Sequence, residues 1–261
     1  VLAVVLGRLA DKGQLDAARW EFFFRADTLR YLGGGLVQTL RLALISMVLA
    51  LAAGTVLALG RLARRRLVNL AVAAWVQVFR GVPLILLILF ALVGLPDLGL
   101  RLSFFGAAAV GLVAYNSAVL AEIIRAGILS LERGQREAAL ALGLTEGQAM
   151  RTVILPQAAR RMIPALVNQL VTLLKDTALA GAVLPYEELL RRSQIAAQNV
   201  RGPAAELQAY LLAAIVFVAV NLCLSRLARR LEVRQQRRYR AGAISVSGVE
   251  DLTALDMETA V

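Results

Sequence analysis

Residues 137–156 read EAALALGLTEGQAMRTVILP, a polar, glycine-punctuated stretch in a chain made mostly of Leu, Ala, Val and Ile. Residues 137–142 are expected to continue a helix from the apolar run before them. Gly143 falls just past its end, where a left-handed backbone suits glycine. Thr145 then reads as an N-cap, with Gln148 three positions on as its reciprocal capping-box partner. A second short helix is expected to reach about Leu155, where Pro156 ends it or begins the next segment. Two short capped helices meet at a glycine corner, and Ala138, Ala139 and Ala141 keep their surface small. Such a unit suits close mechanical contact with another protein better than catalysis.

The composition says what surrounds this corner. Of the 261 residues 59% are hydrophobic, and the mean hydropathy is +0.69. Soluble domains carry about 45–50% apolar residues, so the chain reads as an all-α integral membrane protein. Its net charge of +11 is almost wholly arginine; only Lys12 and Lys175 are lysines. The arginines cluster beside apolar runs, which fits membrane topology and not nucleic-acid binding. There is no histidine, and Cys223 stands alone in an apolar run, where ordinary packing is expected. Disulfides, thiolate–histidine zinc sites and histidine acid–base catalysis are thereby excluded. No metal, cofactor or catalytic residue is expected.

Five apolar runs stand out, at about 36–60, 67–95, 102–124, 162–184 and 204–224. At ~1.5 Å per residue each can cross a hydrocarbon core of ~30 Å. The second is interrupted by Arg80-Gly81-Val82-Pro83, so Pro83 is expected to kink or divide it. Residues 1–10, VLAVVLGRLA, are too short to cross alone and read as the end of an N-terminal transmembrane helix; a short interfacial helix is the alternative. RLARRR lies between the first two runs. Arg125, Arg133, Arg136, Arg151, Arg160 and Arg161 lie between the third and fourth, and SRLARRLEVRQQRRYR follows the fifth. The other connections, PDLGLR and PYEELLRRSQIAAQNVRG, are poorer in arginine. The positive-inside rule then places 61–66, the loop 125–161 and the C-terminus in the cytoplasm, and the segment 11–35 outside. The tail at 229–261 reads as cytoplasmic and, from Ala241 onward, as disordered.

Glu137-Ala138-Ala139, Gly143 and Val153-x-Leu155-Pro156 resemble the signature of the membrane subunits of ABC importers: EAA, three residues, G, nine residues, I-x-LP. Val153 in place of Ile is the one departure. Gly35-Leu36 with Thr39-Leu40, Phe79-Arg80-Gly81-Val82-Pro83-Leu84, Tyr115, Glu122-Ile123, Arg125, Gly127-Ile128, Gly134-Gln135 and Lys175-Asp176-Thr177 follow in the order of the polar-amino-acid permeases. The resemblance covers about 35–228, and within the family it is strongest to glutamate-uptake permeases of actinobacteria.

That resemblance implies a type I importer fold and a multi-pass subunit of the bacterial cytoplasmic membrane. It implies four kinds of partner. A pair of cytoplasmic ATP-binding subunits closes on ATP and draws the coupling loops together. A second permease subunit, a related but distinct chain, completes the membrane pair. An external solute-binding protein delivers the amino acid, and membrane lipid surrounds the whole. Glu137, Ala138, Ala139, Gly143, Leu155 and Pro156 become the ATPase-coupling residues, with Gly143 permitting the corner and Glu137 anchoring it by polar contacts. The chain has no G-x-x-x-x-G-K-[ST] phosphate loop, so hydrolysis belongs to a partner.

Charges inside apolar runs are costly and usually face protein or water. Lys175 and Asp176 stand mid-run and, about 100° apart on a helix, do not simply pair with each other. They serve either a solute path, with the lysine suiting an acidic amino acid, or structural pairing. Arg80 sits beside the Gly81–Pro83 break, which either frees backbone groups to face a cavity or is a kink that lets helices pack. Tyr115 and Asn116 either line the path or bind neighbouring helices, and Thr177 is a further path candidate. Glu122 is expected to pair with Arg125 three residues on, and Arg41 to extend outward. A secondary transporter or channel independent of ATP is the rival reading; it would need ion-coupling or filter residues and would have no need of the 137–156 corner.

Overall fold

A computed structural model describes residues 2–131, 133–199, 205–226 and 229–230. The described residues form helices joined by short turns. They are α1 (Leu2–Asp11), α2 (Ala17–Glu21), a 3₁₀ turn at Phe22–Phe24, α3 (Ala26–Arg61), α4 (Arg66–Gly81), α5 (Leu84–Asp97), α6 (Phe104–Leu129), α7 (Arg133–Ala141), α8 (Glu146–Ala149), α9 (Leu155–Val183), α10 (Leu189–Gln198) and α11 (Glu206–Arg226). The arginine block and tail beyond residue 230 lie outside the described residues.

Three of these, α3, α6 and α11, are long and apolar enough to cross a membrane. The pair α4–α5 makes a fourth if taken as one broken span. It is bent by 99°, because Pro83 has no N–H to continue the ladder and disfavours a helical Val82. Val82 and Pro83 accordingly sit in extended backbone. The expected fourth span lies within α9. This helix is long but carries Asn168, Gln169, Thr172, Lys175 and Asp176, and it falls short of the apolarity of the others.

Several boundaries differ from the sequence expectation. The first apolar run lies inside a helix that starts at Ala26, so the segment 11–35 is largely helical. The helix of the third run does not continue through Glu137. It ends at Leu129, where the Ser130 hydroxyl donates to the carbonyl of Gly127 at 2.7 Å and Arg161 donates to the Ser130 carbonyl at 2.8 Å. Side-chain bonds of this kind compete with the helical ladder. Cys223 is exposed and not packed. The guanidinium of Arg41 lies over the ring of Phe105, 5.3 Å from its centroid.

The body is held by small residues. Ala43, Ala50, Gly54 and Ala58 of α3 are buried, as are Ala107, Ala108, Ala118 and Ala121 of α6. A Cβ on Gly54 would stand 2.9 Å from the Ser117 carbonyl oxygen, so the two backbones approach as closely as apolar helices in lipid require. One core joins Leu42, Ile88, Leu112 and Ala180. A second joins Ala58, Val76, Ile124, Ile154 and Ala158 and reaches the 137–156 corner.

Candidate functional site

The corner is built as its residues dictate. Gly143 has φ +83°. The N–H of Leu144 reaches the Ala139 carbonyl at 3.2 Å and that of Gly143 reaches Leu140 at 3.0 Å, the paired bonds of a Schellman cap. Thr145 and Gln148 form the expected capping box: Gln148 N–H donates to Thr145 Oγ1 at 3.3 Å and Thr145 N–H to Gln148 Oε1 at 2.8 Å. The second helix does not stop at Pro156. It passes through a π turn at Met150–Ile154 straight into α9, with Pro156 in the first helical turn. Proline lacks the N–H that would bond the carbonyl four residues back, and the wider turn absorbs the gap.

Among the coupling residues, Glu137, Ala138 and Pro156 are exposed, Leu155 is half-buried, and Ala139 is only 4% exposed. Ala139 faces the protein and not a docking partner. Glu137, expected to anchor the corner, makes no side-chain hydrogen bond or ion pair among the described residues. Glu146 does that work. Arg136 grips it with Nε at 3.0 Å and Nη2 at 2.6 Å, and Arg64 reaches it with Nη2 at 2.6 Å. Hydrogen bonds from Arg136 hold this carboxyl below its ordinary range. Sequence reasoning missed Glu146. Its sequence signal was an acidic residue in the first turn of a capped helix; the two arginines come together around it only in the fold.

At the α4–α5 break a cavity of about 320 Å³ opens. Arg80, Gly81 and Pro83 line one side, Tyr115 another, and Gln169, Thr172 and Asp176 of α9 the third. Three of the path candidates, Arg80, Tyr115 and Asp176, therefore share one space. The others do not line it. Lys175 is exposed outside the cavity, and Thr177 is fully buried with its hydroxyl donating to the Leu174 carbonyl at 2.7 Å. Asn116 is also fully buried. Its Nδ2 donates to the Leu112 carbonyl at 2.8 Å, and its Oδ1 accepts from Gln169 Nε2 at 2.7 Å. Asn116 thus orients a lining residue, Gln169, which sequence reasoning did not select. Glu122 pairs with Arg125 at 3.0 Å as expected and also with Arg61 of α3 at 3.3 Å.

Residues 46–237 match the family described as binding-protein-dependent transport system inner membrane component. The chain is 38% identical to a glutamate transport system permease protein of Corynebacterium glutamicum over 255 residues, covering 96% of this chain and 92% of that one. It is 36% identical to a glutamine transport system permease protein of Escherichia coli, covering 77% and 93%. Among solved structures, an amino acid ABC transporter with histidines superposes with a TM-score of 0.74 at 32% identity, covering 82% of this chain and 98% of that one. An inward-facing methionine ABC transporter shares the fold, with a TM-score of 0.62 at 22% identity over 79% of this chain and 99% of that one.

The chain belongs to this family of inner membrane components, as a permease subunit of an amino acid ABC transporter with the type I importer fold. Subunits of this kind are not themselves enzymes. Membership implies ATP-binding subunits and a solute-binding protein as partners.

Proposed function

We propose that this permease subunit carries glutamate inward by alternating access driven by partner ATPase subunits. The similarity to a glutamate permease along nearly the whole chain carries this reading. The 137–156 hairpin is the ATPase-coupling element: it is capped at both helices, exposes Glu137 and Ala138, and continues without interruption into α9. It lies with residues 61–66 and the C-terminus on the cytoplasmic side, where the arginine bias puts them. The cavity at the α4–α5 break is the candidate passage. Arg80 there offers a cation to the side-chain carboxylate of glutamate, and Tyr115, Gln169 and Asp176 offer polar groups to its ammonium and carboxyl ends. The second permease is a related, distinct chain.

The test is reconstitution of the complete importer in vesicles, with ATP inside and the binding protein outside. Uptake of labelled L-glutamate should require ATP, and unlabelled glutamate should compete better than glutamine or arginine. ATP-dependent uptake that prefers glutamine would remove the glutamate assignment and leave the importer reading intact. Uptake unaffected by ATP would remove both.

A further inference from the structure

We propose that Glu146 is a positioning residue that fastens the hairpin to the connection between α3 and α4, so that one displacement of the hairpin moves two walls of the cavity together. The proposal rests on the reading of the hairpin as the coupling element.

The hairpin joins the body at both ends, to α6 before it and to α9 after it, and the second connection is the helical one. The π turn at Met150–Ile154 leads into α9, which bears Gln169, Thr172 and Asp176 on the cavity. Movement of the hairpin therefore reaches that wall through a single helix, which contains Pro164. The opposite wall belongs to α4, whose last residues are Arg80 and Gly81. Helix α4 begins at Arg66, two residues after Arg64, and its 16 residues span ~24 Å at ~1.5 Å each. Among the described residues the hairpin tip meets this end of the body through one polar tie, Glu146 to Arg64.

The tie is built in a particular way. Glu146 Oε1 accepts from Arg64 Nη2 at 2.6 Å and from Arg136 Nη2 at 2.6 Å, while Oε2 accepts from Arg136 Nε at 3.0 Å. Arg136 lies on α7, Glu146 on α8 and Arg64 beyond the end of α3. One carboxylate thus closes the corner between α7 and α8 through a two-point grip and spends a remaining acceptor position on the body. Isolated exposed ion pairs contribute little to stability, but a two-point arginine grip with a further cation on the same carboxylate fixes geometry. Its exposure suits a mechanical tie that must hold while the loop is pulled, and not a part of the folded core. Without it the hairpin would still move α9, and only the shared apolar core of Val76 and Ile154 would carry that movement toward α4.

The decisive readout is the amount of amino acid imported per ATP hydrolysed, using the complete importer in vesicles with labelled L-glutamate and L-glutamine. Glu146→Ala and Arg64→Ala should each keep ATPase activity within about twofold of the unsubstituted complex while import per ATP falls about tenfold. High salt should lower the same ratio in the unsubstituted complex and leave Arg64→Ala unchanged. A second variant keeps the test independent of folding: Arg64→Cys with Glu146→Cys, in a Cys223→Ser background, joined by a short cleavable thiol cross-linker. Cross-linking should restore import per ATP, and cleavage should abolish it again. Normal import per ATP in both alanine variants, or a cross-link that restores nothing, would overturn the proposal. A Gly143→Trp complex that imports normally would instead overturn the coupling role of the hairpin itself.

Discussion

The Thr39 hydroxyl donates to Glu188 Oε2 at 3.2 Å, joining α3 to the start of α10 across 149 positions of sequence. Thr39 Oγ1 in turn accepts from the Leu189 N–H at 3.1 Å, and Glu188 Oε1 caps α10 by accepting from the Arg191 N–H at 2.8 Å. Glu188 is fully buried. Burial pushes its carboxyl above the ordinary value of 4.5, against the hydrogen bonds that favour the charged form. A carboxyl with a raised native value binds its proton more tightly folded than unfolded. Its contribution is therefore full below the ordinary value and is lost as pH rises through the raised one. Thermal unfolding of the detergent-purified protein should show stability declining as pH rises above the ordinary carboxyl value, and Glu188→Gln should flatten that decline. An identical slope in both proteins would show that Glu188 does not titrate in this range.

Gly181 near the end of α9 leaves the space that Glu188 occupies, and a Cβ there would collide with Glu188 Oε1. Gly181→Ala should destabilise the protein by ~1–3 kcal/mol, the usual cost of overpacking. Glu188→Ala should be destabilising alone, because it strands the donors of Thr39 and Arg191. In combination the two should cost less than their sum. Denaturant or thermal unfolding of the four proteins measures this, and simple additivity would mean that the two residues do not compete for one space.

At Gly143 nothing lies within 4 Å of a would-be Cβ. A substitution there meets strain from the backbone alone, ~1–2 kcal/mol for a residue held left-handed. Loss of ATP-driven uptake should follow left-handed tolerance, with Gly143→Asn mildest and Gly143→Val severest. Membrane insertion should be unaffected in each. Equal uptake in both variants would separate the corner from transport.

The bond from Gln169 to Asn116 gives a cavity test. Asn116→Leu leaves Gln169 without its acceptor at the wall of the proposed passage. Removing one such hydrogen bond costs ~1 kcal/mol, or roughly fivefold in an equilibrium. The half-saturating amino acid concentration should rise by about that factor while the ATPase rate of the complex holds. Unchanged uptake would place Gln169 off the path.

Much of the fold was legible because the physics is local. Gly143, Thr145 and Gln148 act on backbone groups within a few residues, so the caps could be read directly. Pro83 announced the division of the second apolar run for the same reason. The Ser130 break was hidden, since it depends on Arg161 taking a carbonyl 31 residues away. Glu137 and Glu146 illustrate the same limit within the site. Both are acidic residues on short helices, and only the fold shows which one two arginines enclose. Asn116, Lys175 and Thr177 were selected as polar residues in apolar runs. That signal does not tell a cavity wall from a buried bond or an outward face, because helix rotation and bend decide which way each side chain points.

Helix α9 also sets a constraint on anyone redesigning this transporter. Along one helix, with Pro164 inside it, α9 carries the root of the hairpin, the polar residues Gln169, Thr172 and Asp176, and Gly181 beneath Glu188. A substitution made there to alter the proposed passage should be felt at both ends. The broken pair α4–α5 has no such obligation, since Val82 and Pro83 isolate its two halves. Selection for a new substrate should therefore accumulate substitutions around Arg80 and Leu84 before it touches α9.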